Sequence, residues 1–166
     1  VVVWASNGGQ DGDGWGVFGQ RFDGNGVAVG GEFQVNTEYE NQQYLPKVVG
    51  HGDGGWVVTW QSSLTQPVST DSELFAQRYD ADGNKIDLQT GALGGGEVQL
   101  NQWTAGLQFD PSIVSLQSGG FIAAWQSPEQ TTPSGGSSWD VYARIYRGDG
   151  ASYEADLGSG PIKLFA

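Results

Sequence analysis

The stretch GGWVVTW, residues 54–60, decides the fold of this chain because it is written more than once. It recurs as GGFIAAW at 119–125, and its second half opens the chain as VVVW at 1–4. A glycine pair followed by apolar and aromatic residues is typical of a β-strand that is entered through a tight hairpin. A stretch repeated in this way marks a structural unit, so the chain is predicted to be an array of similar β-units.

The composition favours an ordered all-β protein of one domain. The chain has 166 residues, of which 28 are glycine, 7 tryptophan, 7 phenylalanine and 6 tyrosine. The glycines allow many tight turns, and the aromatic side chains supply the apolar surface that glycine-rich disordered chains lack. This length is sufficient for one domain with a core of its own. There is no cysteine, so the fold must hold by packing, without disulfides or thiolate metal sites.

The charge argues against two classes of partner. The formal net charge is −12, whereas nucleic acids and anionic membrane surfaces are bound by cationic faces. No apolar run approaches the roughly 20 residues that span a bilayer as a helix, so no membrane insertion is expected. Divalent cations and basic partners remain compatible with an acidic chain.

Each unit is predicted to hold four strands, named a to d in chain order. Strand a lies near 46–50 and 111–116, and strand b follows the glycine pair. Strand c, of the type VFGQRFD, lies at 17–23, 74–80 and 141–147, and alternates large side chains around a small central residue. Strand d is of the type FQVN, and turns containing Asp-Gly or Gly-Asn join c to d.

This segmentation predicts an all-β fold of three four-stranded antiparallel repeats that resemble propeller blades. The repeats are 1–40, 41–105 and 106–166, and the first lacks its initial strand a. Sheets of this size cannot bury both faces alone, so stacking face to face is expected.

Large aromatic residues recur at fixed strand positions, where they are predicted to fill the space between stacked sheets. The predicted core residues are Trp4, Trp60 and Trp125 in strand b, and Phe18, Phe75 and Tyr142 in strand c. Trp56 and Phe121 occupy matching positions at the entrance of strand b and are also expected to be structural.

Within residues 1–125, one order of motifs resembles a known pattern: the glycine pair, the strand-b tryptophan, QRFD and QVN. It is similar to the tandem Trp- and Gly-rich β-propeller-like repeats of large secreted bacterial surface and adhesin-type proteins, which often lie beside haemolysin-type calcium-binding repeats. From 126 onward the likeness is looser. The resemblance implies a propeller-like β-repeat and an extracellular or cell-surface location, and it implies no characterised activity.

The missing strand a leaves an unpaired edge, and about three blades are fewer than the four to eight of a closed propeller. Three arrangements would cover the open ends. Two chains could complete a six-bladed ring, the 166 residues could belong to a longer propeller, or each chain could lend a strand or face to the next and form a filament.

Two acidic loops carry oxygen ligands at alternate positions, a spacing that can converge on calcium. The candidate metal ligands are Asp11 and Asp13 in QDGDG, and Asp80, Asp82 and Asn84 in DADGN. The second loop does not follow the EF-hand template, because its glycine falls at the fourth position. The same residue types are common in hairpin turns for conformational reasons alone, so calcium is one of two readings and no cofactor is required.

Three tryptophans, Trp15, Trp103 and Trp139, lie in or beside the loops, where exposed aromatic rings can stack on sugars. The alternative is an aromatic lid over a blade end or a subunit contact. His51 is the only histidine and matches Leu116 of the next unit, so it is expected to fill a strand position. No Ser-His-Asp or Cys-His arrangement and no zinc site can be built around it, and no enzymatic activity is expected.

The sequence therefore predicts a non-enzymatic, extracellular structural or assembly module that associates with itself or with neighbouring repeats through open blade edges. The alternative is a carbohydrate-binding, lectin-like adhesin propeller that uses the loop tryptophans, with or without calcium.

Overall fold

The computed structural model describes residues 1–12, 14–38, 40–63, 71–88, 90–117, 119–128, 139–147 and 162–165. All regular elements in these ranges are β-strands, which form three antiparallel sheets. The first sheet contains β1 (Val2–Ser6), β2 (Gly16–Phe22) and β3 (Ala28–Gln34). The second contains β4 (Gln42–Gly50), β5 (Trp56–Ser63), β6 (Ser72–Tyr79), β7 (Lys85–Ile86) and β8 (Val98–Gln99). The third contains β9 (Phe109–Ser115), β10 (Phe121–Pro128), β11 (Trp139–Tyr146) and β12 (Ile162–Phe165).

The second sheet is the middle layer of a stack, because its strand β5 is buried on both faces. Along β5, Val58 and Trp60 belong to the cluster shared with the first sheet, whereas Val57 belongs to the cluster shared with the third. All residues from 56 to 61 are buried. A strand covered on both sides is expected to be a nearly continuous apolar run, which explains why WVVTW lacks polar alternation.

Every sheet has an aromatic face, which carries the strand-b tryptophan; the opposite face is aliphatic in the second and third sheets, whereas in the first sheet it also carries Phe33. In the second sheet the aromatic face carries Trp56, Val58, Trp60, Phe75 and Tyr79, and the aliphatic face carries Val57, Leu74 and Ala76. The aromatic face of the third sheet packs on the aliphatic face of the second, and the aromatic face of the second packs on the first. The two junctions are therefore built in the same direction.

The glycine pair that opens GGWVVTW serves two separate geometric needs. Gly54 has a φ of 87°, in the left-handed region that favours glycine, and its N–H donates to the His51 carbonyl at 3.1 Å. Gly55 lies so close to the neighbouring strand that a Cβ atom would overlap the Tyr79 carbonyl oxygen. In the third sheet, Gly119 has a φ of 89° and Gly120 makes the same close approach to Tyr146. The hairpin therefore requires both glycines.

The asparagine of QVN and QLN fixes the start of strand c. The Asn36 side-chain oxygen accepts a hydrogen bond from the Val17 N–H at 2.8 Å, and Asn101 accepts one from the Leu74 N–H at 2.8 Å. Both asparagines are buried, so each bond satisfies a backbone donor that would otherwise be costly to bury. The end of strand d thereby determines the position of strand c in the same sheet.

One prediction about the sheets needs correction, and the propeller arrangement is not confirmed. The second sheet has five strands, because the predicted strand d is split into β7 and β8, which both pair with β6. The intervening segment folds back on itself, with a hydrogen bond of 2.7 Å from the Asp87 N–H to the Ala92 carbonyl. The three sheets do not close into a ring, so the fold is all-β and antiparallel without being a closed propeller. Among the described residues, the first sheet contains no strand equivalent to strand a.

The predicted core residues differ in burial. Trp60, Trp125, Phe18 and Tyr142 are buried. Phe75 is only partly buried, although it packs against the cluster between the first and second sheets. Trp4 is also only partly buried; it lies on the aromatic face of the first sheet, on which no described sheet packs, although its cross-strand neighbour Phe18 on the same face is buried. The described residues include no helix that is long and apolar enough to cross a membrane.

Replacing Trp60 by alanine is expected to lower the free energy of unfolding by about 3–5 kcal/mol, because the change opens a large cavity between two sheets. Urea unfolding followed by circular dichroism measures this loss. The matched control is Trp103→Ala, which removes the same side chain from a position that is 45% exposed and should cost less than about 0.5 kcal/mol. Equal losses in the two variants would contradict the stacked arrangement.

Candidate functional site

The three loop tryptophans lie at one end of the stack, where strands b end and strands c begin. Trp15 directly precedes β2, Trp139 begins β11, and Trp103 lies between β8 and β9. They are 39%, 49% and 45% exposed. The Trp139 ring contacts the Phe109 ring at a centroid distance of 5.5 Å, and among the described residues no ring contact joins any two of the three tryptophans. This end, the tryptophan rim, presents three separate aromatic surfaces.

The two acidic loops differ in how their oxygens are used. The Asp80 carboxylate accepts hydrogen bonds from the Asn84 N–H at 2.8 Å and the Asn84 side chain at 2.9 Å, which lower the Asp80 pKa. The Asp82 carbonyl accepts a hydrogen bond from Arg21 at 2.6 Å. These contacts build a turn. Among the described residues, no three acidic, histidine or cysteine side chains are placed to hold a metal ion.

In the first acidic loop, both carboxylate oxygens of Asp11 are buried and have no hydrogen-bond partner. A carboxylate in this condition usually requires a donor or a cation. The second predicted ligand of this loop, Asp13, lies outside the described residues. The described part of the loop therefore contributes one oxygen group and no complete site.

A cluster of ionisable side chains that the sequence analysis did not identify lies at the a–b hairpin of the second sheet. The Asp53 carboxylate accepts a hydrogen bond from Arg78 Nη2 at 2.7 Å and lies 3.0 Å from His51 Nδ1. The Arg78 and His51 side chains are 7% and 4% exposed, and that of Asp53 is 42% exposed. His51 follows the end of β4 and lies in the hairpin, so the prediction that it fills a strand position is wrong.

The surroundings of Asp53 lower the pKa of its carboxyl group. Partial burial acts to raise the pKa, but hydrogen bonds from Arg78, from the Gly55 N–H and from His51 outweigh it and lower the pKa from 3.8 to about 2. Asp53 is therefore ionised at neutral pH and balances the buried charge of Arg78. The cluster joins the hairpin to strand c and provides a fixed ion pair.

At each junction between sheets, a basic side chain of one sheet donates a hydrogen bond to the backbone carbonyl that precedes the asparagine of QVN or QLN in the sheet before it. Lys85 Nζ of the second sheet donates to the Val35 carbonyl at 2.8 Å, and Arg144 Nη1 of the third donates to the Leu100 carbonyl at 2.7 Å. Val35 and Leu100 are equivalent residues of QVN and QLN. The two junctions therefore share a polar contact as well as apolar packing.

The outer faces of the stack expose positions that are buried in its middle. On the aromatic face of the first sheet, Val2 is 53% exposed, whereas the equivalent Val58 is 0% exposed. On the same face, Phe22 is 43% exposed, whereas the equivalent Tyr79 is 1% exposed. At the other end of the stack, the aliphatic face of the third sheet includes Val114, which is 55% exposed. We call these two surfaces the end faces.

A groove of about 440 Å³ lies where the sheets meet, beside the edge of β1 that pairs with no described strand. Its wall is shared by all three sheets, with residues from strands β1, β4 and β9. The lining residues are Val1, Val2, Val3, Pro46, Lys47, Val48, Ser112 and Ile113. The lining is mainly apolar and lies where the strand a of a first unit would run.

The chain matches no protein-family model, no curated protein and no solved structure. Its own geometry is therefore the basis for any proposal about function. That geometry provides three candidate sites: the tryptophan rim, the two end faces and the groove beside β1. The sequence indicated the first site through its exposed aromatics and the other two through the repeat, whereas the Asp53 cluster has no local signal.

Replacing Asp53 by asparagine is expected to reduce stability at pH 5–7 and to have little effect near pH 2. Because the folded-state pKa is lowered from 3.8 to about 2, the ionised carboxylate stabilises the fold above about pH 4, and this contribution is lost as the pH falls through about 2. Urea unfolding of both proteins between pH 7 and 2 measures the difference. The control Asp82→Asn removes an equal charge from an exposed turn and should give a small, nearly constant difference. A loss for Asp53→Asn that is the same at all pH values would contradict the ion-pair assignment.

Proposed function

We propose that this chain is a non-enzymatic, extracellular structural module that assembles with copies of itself by continuing the stack of sheets. The observation that carries the proposal is the exposure of Val2 and Phe22 at positions where Val58 and Tyr79 are buried. In the middle sheet the same positions are covered by a neighbouring sheet. The end faces therefore have the composition of an interior junction without its second half.

The two end faces are complementary to each other. Both internal junctions place the tryptophan-bearing face of one sheet against the opposite face of the preceding sheet, and between the second and third sheets that opposite face is aliphatic. One end of the stack presents an aromatic face and the other presents an aliphatic face, so a second copy can dock head to tail in the same orientation. Such a heterologous contact produces a ring when the rotation closes and a filament when it does not.

The aliphatic end face carries apolar residues where the corresponding face of the second sheet carries both apolar and polar ones. In β10 and β11 its paired residues are Ile122 with Ile145, which are partly buried, and Ala124 with Ala143, of which Ala143 is buried. The corresponding face of the middle sheet carries Val57 and Ala76, which are buried against the third sheet. Small and β-branched residues at these positions allow two sheets to approach closely.

Charge sets the conditions under which the assembly should form. Each chain carries a formal net charge of −12, so copies repel one another at low ionic strength. Added salt screens this repulsion and also favours apolar burial. Association should therefore become tighter as the salt concentration rises, in contrast to an assembly held by ion pairs.

Phe22→Glu is expected to weaken self-association by about tenfold or more, because it places a charge on an apolar contact surface. Sedimentation velocity over a range of protein and salt concentrations measures the association constant. The control Leu93→Glu adds the same charge at a side chain that is 73% exposed and lies between β7 and β8, away from both end faces. Its association should match that of the wild-type chain.

The size distribution in the same measurement separates the modes of assembly. A single closed species indicates a ring, and continued growth with concentration indicates a filament. A wild-type protein that remains monomeric up to about 1 mM at high salt would contradict self-assembly through the end faces.

The tryptophan rim supports a second candidate, a carbohydrate-binding module. Trp15, Trp103 and Trp139 are each about half exposed at the end of the stack from which the b–c connections leave. Sugars bind proteins partly by stacking their apolar ring faces on aromatic side chains. The unpartnered carboxylate of Asp11 in a b–c connection is the reason to test calcium dependence.

If the rim binds sugars, a glycan array should show selective binding that is lost when Trp15, Trp103 and Trp139 are all replaced by alanine, while unfolding stability changes little. A parallel array with a chelator tests whether calcium contributes. Glycan binding that survives all three substitutions would place the site elsewhere. Silence with and without the chelator would contradict the lectin function.

A further inference from the structure

Strand β1 is an edge strand without the usual protection of an edge. Exposed edges in native sheets carry prolines or charged residues that discourage pairing with another strand. In the second sheet the edge strand β4 contains Pro46 and Lys47, and in the third the edge strand β9 contains Asp110 and Pro111. The sequence of β1, VVWAS, contains neither proline nor charge. Its composition is that of an interior strand.

The equivalent strands of the other two units are interior strands. β5 lies between β4 and β6, and β10 lies between β9 and β11. β1 pairs with β2 alone among the described residues. The groove lined by Val1–Val3 on one side and Pro46–Val48 on the other lies along its free edge.

The register of the two complete junctions predicts which sequence would fill this groove. In the second sheet Val48 pairs with Val58 and Val49 with Val57. In the third sheet Ile113 pairs with Ala123 and Val114 with Ile122. The same register places a Val or Ile opposite Val2 and a Val opposite Val1.

The packing between layers supports the same sequence. Val49 of β4 and Ile113 of β9 both pack against the cluster between the second and third sheets. In the preceding junction, Val48 packs against the corresponding cluster and also lines the groove. In a docked strand, the residue equivalent to Val49 would lie in the groove and cover the Val48 side chain.

We propose that the free edge of β1 and the adjoining groove form a strand-acceptor site for an extended segment with the pattern Pro-x-Val/Ile-Val, donated by another repeat of this type. The segment adds to the first sheet as its strand a, by antiparallel β-augmentation. The backbone of β1 provides affinity, and the groove selects the β-branched side chains. This inference rests on the proposed assembly for one point, the source of the donated strand. It adds the identity of the segment that the assembly partner would donate.

The test uses the whole chain and a synthetic peptide with the sequence of residues 107–117, LQFDPSIVSLQ, which contains β9. The peptide carries one negative charge, so attraction to the acidic protein cannot be explained by charge. Fluorescence anisotropy with a dye at the peptide N-terminus should show saturable binding. A peptide with Ile113 and Val114 both changed to Lys should bind at least about tenfold more weakly, because two apolar contacts are replaced by charges.

Two N-methylated peptides test whether the contact is a β-ladder. In an extended strand the N–H groups of alternate residues point to opposite sides. One peptide is methylated at the residues corresponding to Ser112 and Val114, and the other at those corresponding to Ile113 and Ser115. One of the two should bind about tenfold or more weakly and the other should bind normally, since only one set faces β1. Equal affinities for both peptides would overturn edge pairing.

Amide hydrogen exchange locates the site. Addition of the peptide should slow exchange within Val2–Ser6, and protection confined to other strands would overturn the assignment to β1. The Phe22→Glu variant separates this proposal from the stacking of end faces, because Phe22 lies on the face of the first sheet and does not line the groove. That variant should lose self-association and retain peptide binding. Absence of saturable peptide binding in both proteins would overturn the acceptor site, whatever the oligomeric state.

Discussion

The structure depends on one recurring contact, the packing of the tryptophan-bearing face of one sheet on the opposite face of the preceding sheet. Strand β5 shows the consequence most clearly, because Val57 and Val58 point to opposite sides and both are 0% exposed. A sheet with two apolar faces cannot be stable in water alone, since each face needs a partner to remove it from solvent. Among the described residues, the second sheet meets this requirement on both faces, whereas the first and third sheets meet it on one face each.

Polar contacts accompany the apolar packing at both junctions. Lys85 and Arg144 each donate a hydrogen bond to a backbone carbonyl of the preceding sheet, at 2.8 and 2.7 Å. Charged donors make stronger hydrogen bonds than neutral ones, particularly in partly buried surroundings. Because the two cations occupy different strands, the sequence repeat does not reveal them as equivalents. The apolar contacts of the two junctions are made by residues at equivalent positions of the repeat. The polar contacts have the same geometry but are made by residues at different positions.

The sequence predicted the features that depend on local chemistry. The glycine pairs, the Asp-Gly and Gly-Asn turns, and the alternation of large and small residues in strand c each depend on a few neighbouring residues. The repeat shows each of them several times. It did not predict the split of strand d into β7 and β8, because Asp87 and Ala92 close a local loop that only the second unit contains. The partial burial of Trp4 was also missed, since burial depends on whether another sheet covers its face.

The candidate sites likewise divide into those that the local sequence predicts and those that it does not. The exposed tryptophans were predictable because loop position and residue type are both visible in the sequence. The cluster of His51, Asp53 and Arg78 was not, because it joins a hairpin to a residue on another strand, and no spacing rule links them. Likewise, the role of Asp80 and Asn84 in a turn could be decided only by hydrogen-bond geometry. Contacts between residues that are far apart in the sequence can be predicted only when the register of the strands is known.

The opening residues VVVW are best understood by comparison with the equivalent residues of the other two units. In each of those units, a strand a precedes them. GGWVVTW contains a hairpin and an interior strand, and its partner strand carries the proline and the charged residue that protect the edge. VVVW has the interior strand alone. In the second and third sheets, strand a both completes the sheet and protects its edge, whereas the edge of β1 that pairs with no described strand keeps the composition of an interior strand. A surface of this kind differs from an exposed apolar patch, because its backbone groups as well as its side chains specify what can bind.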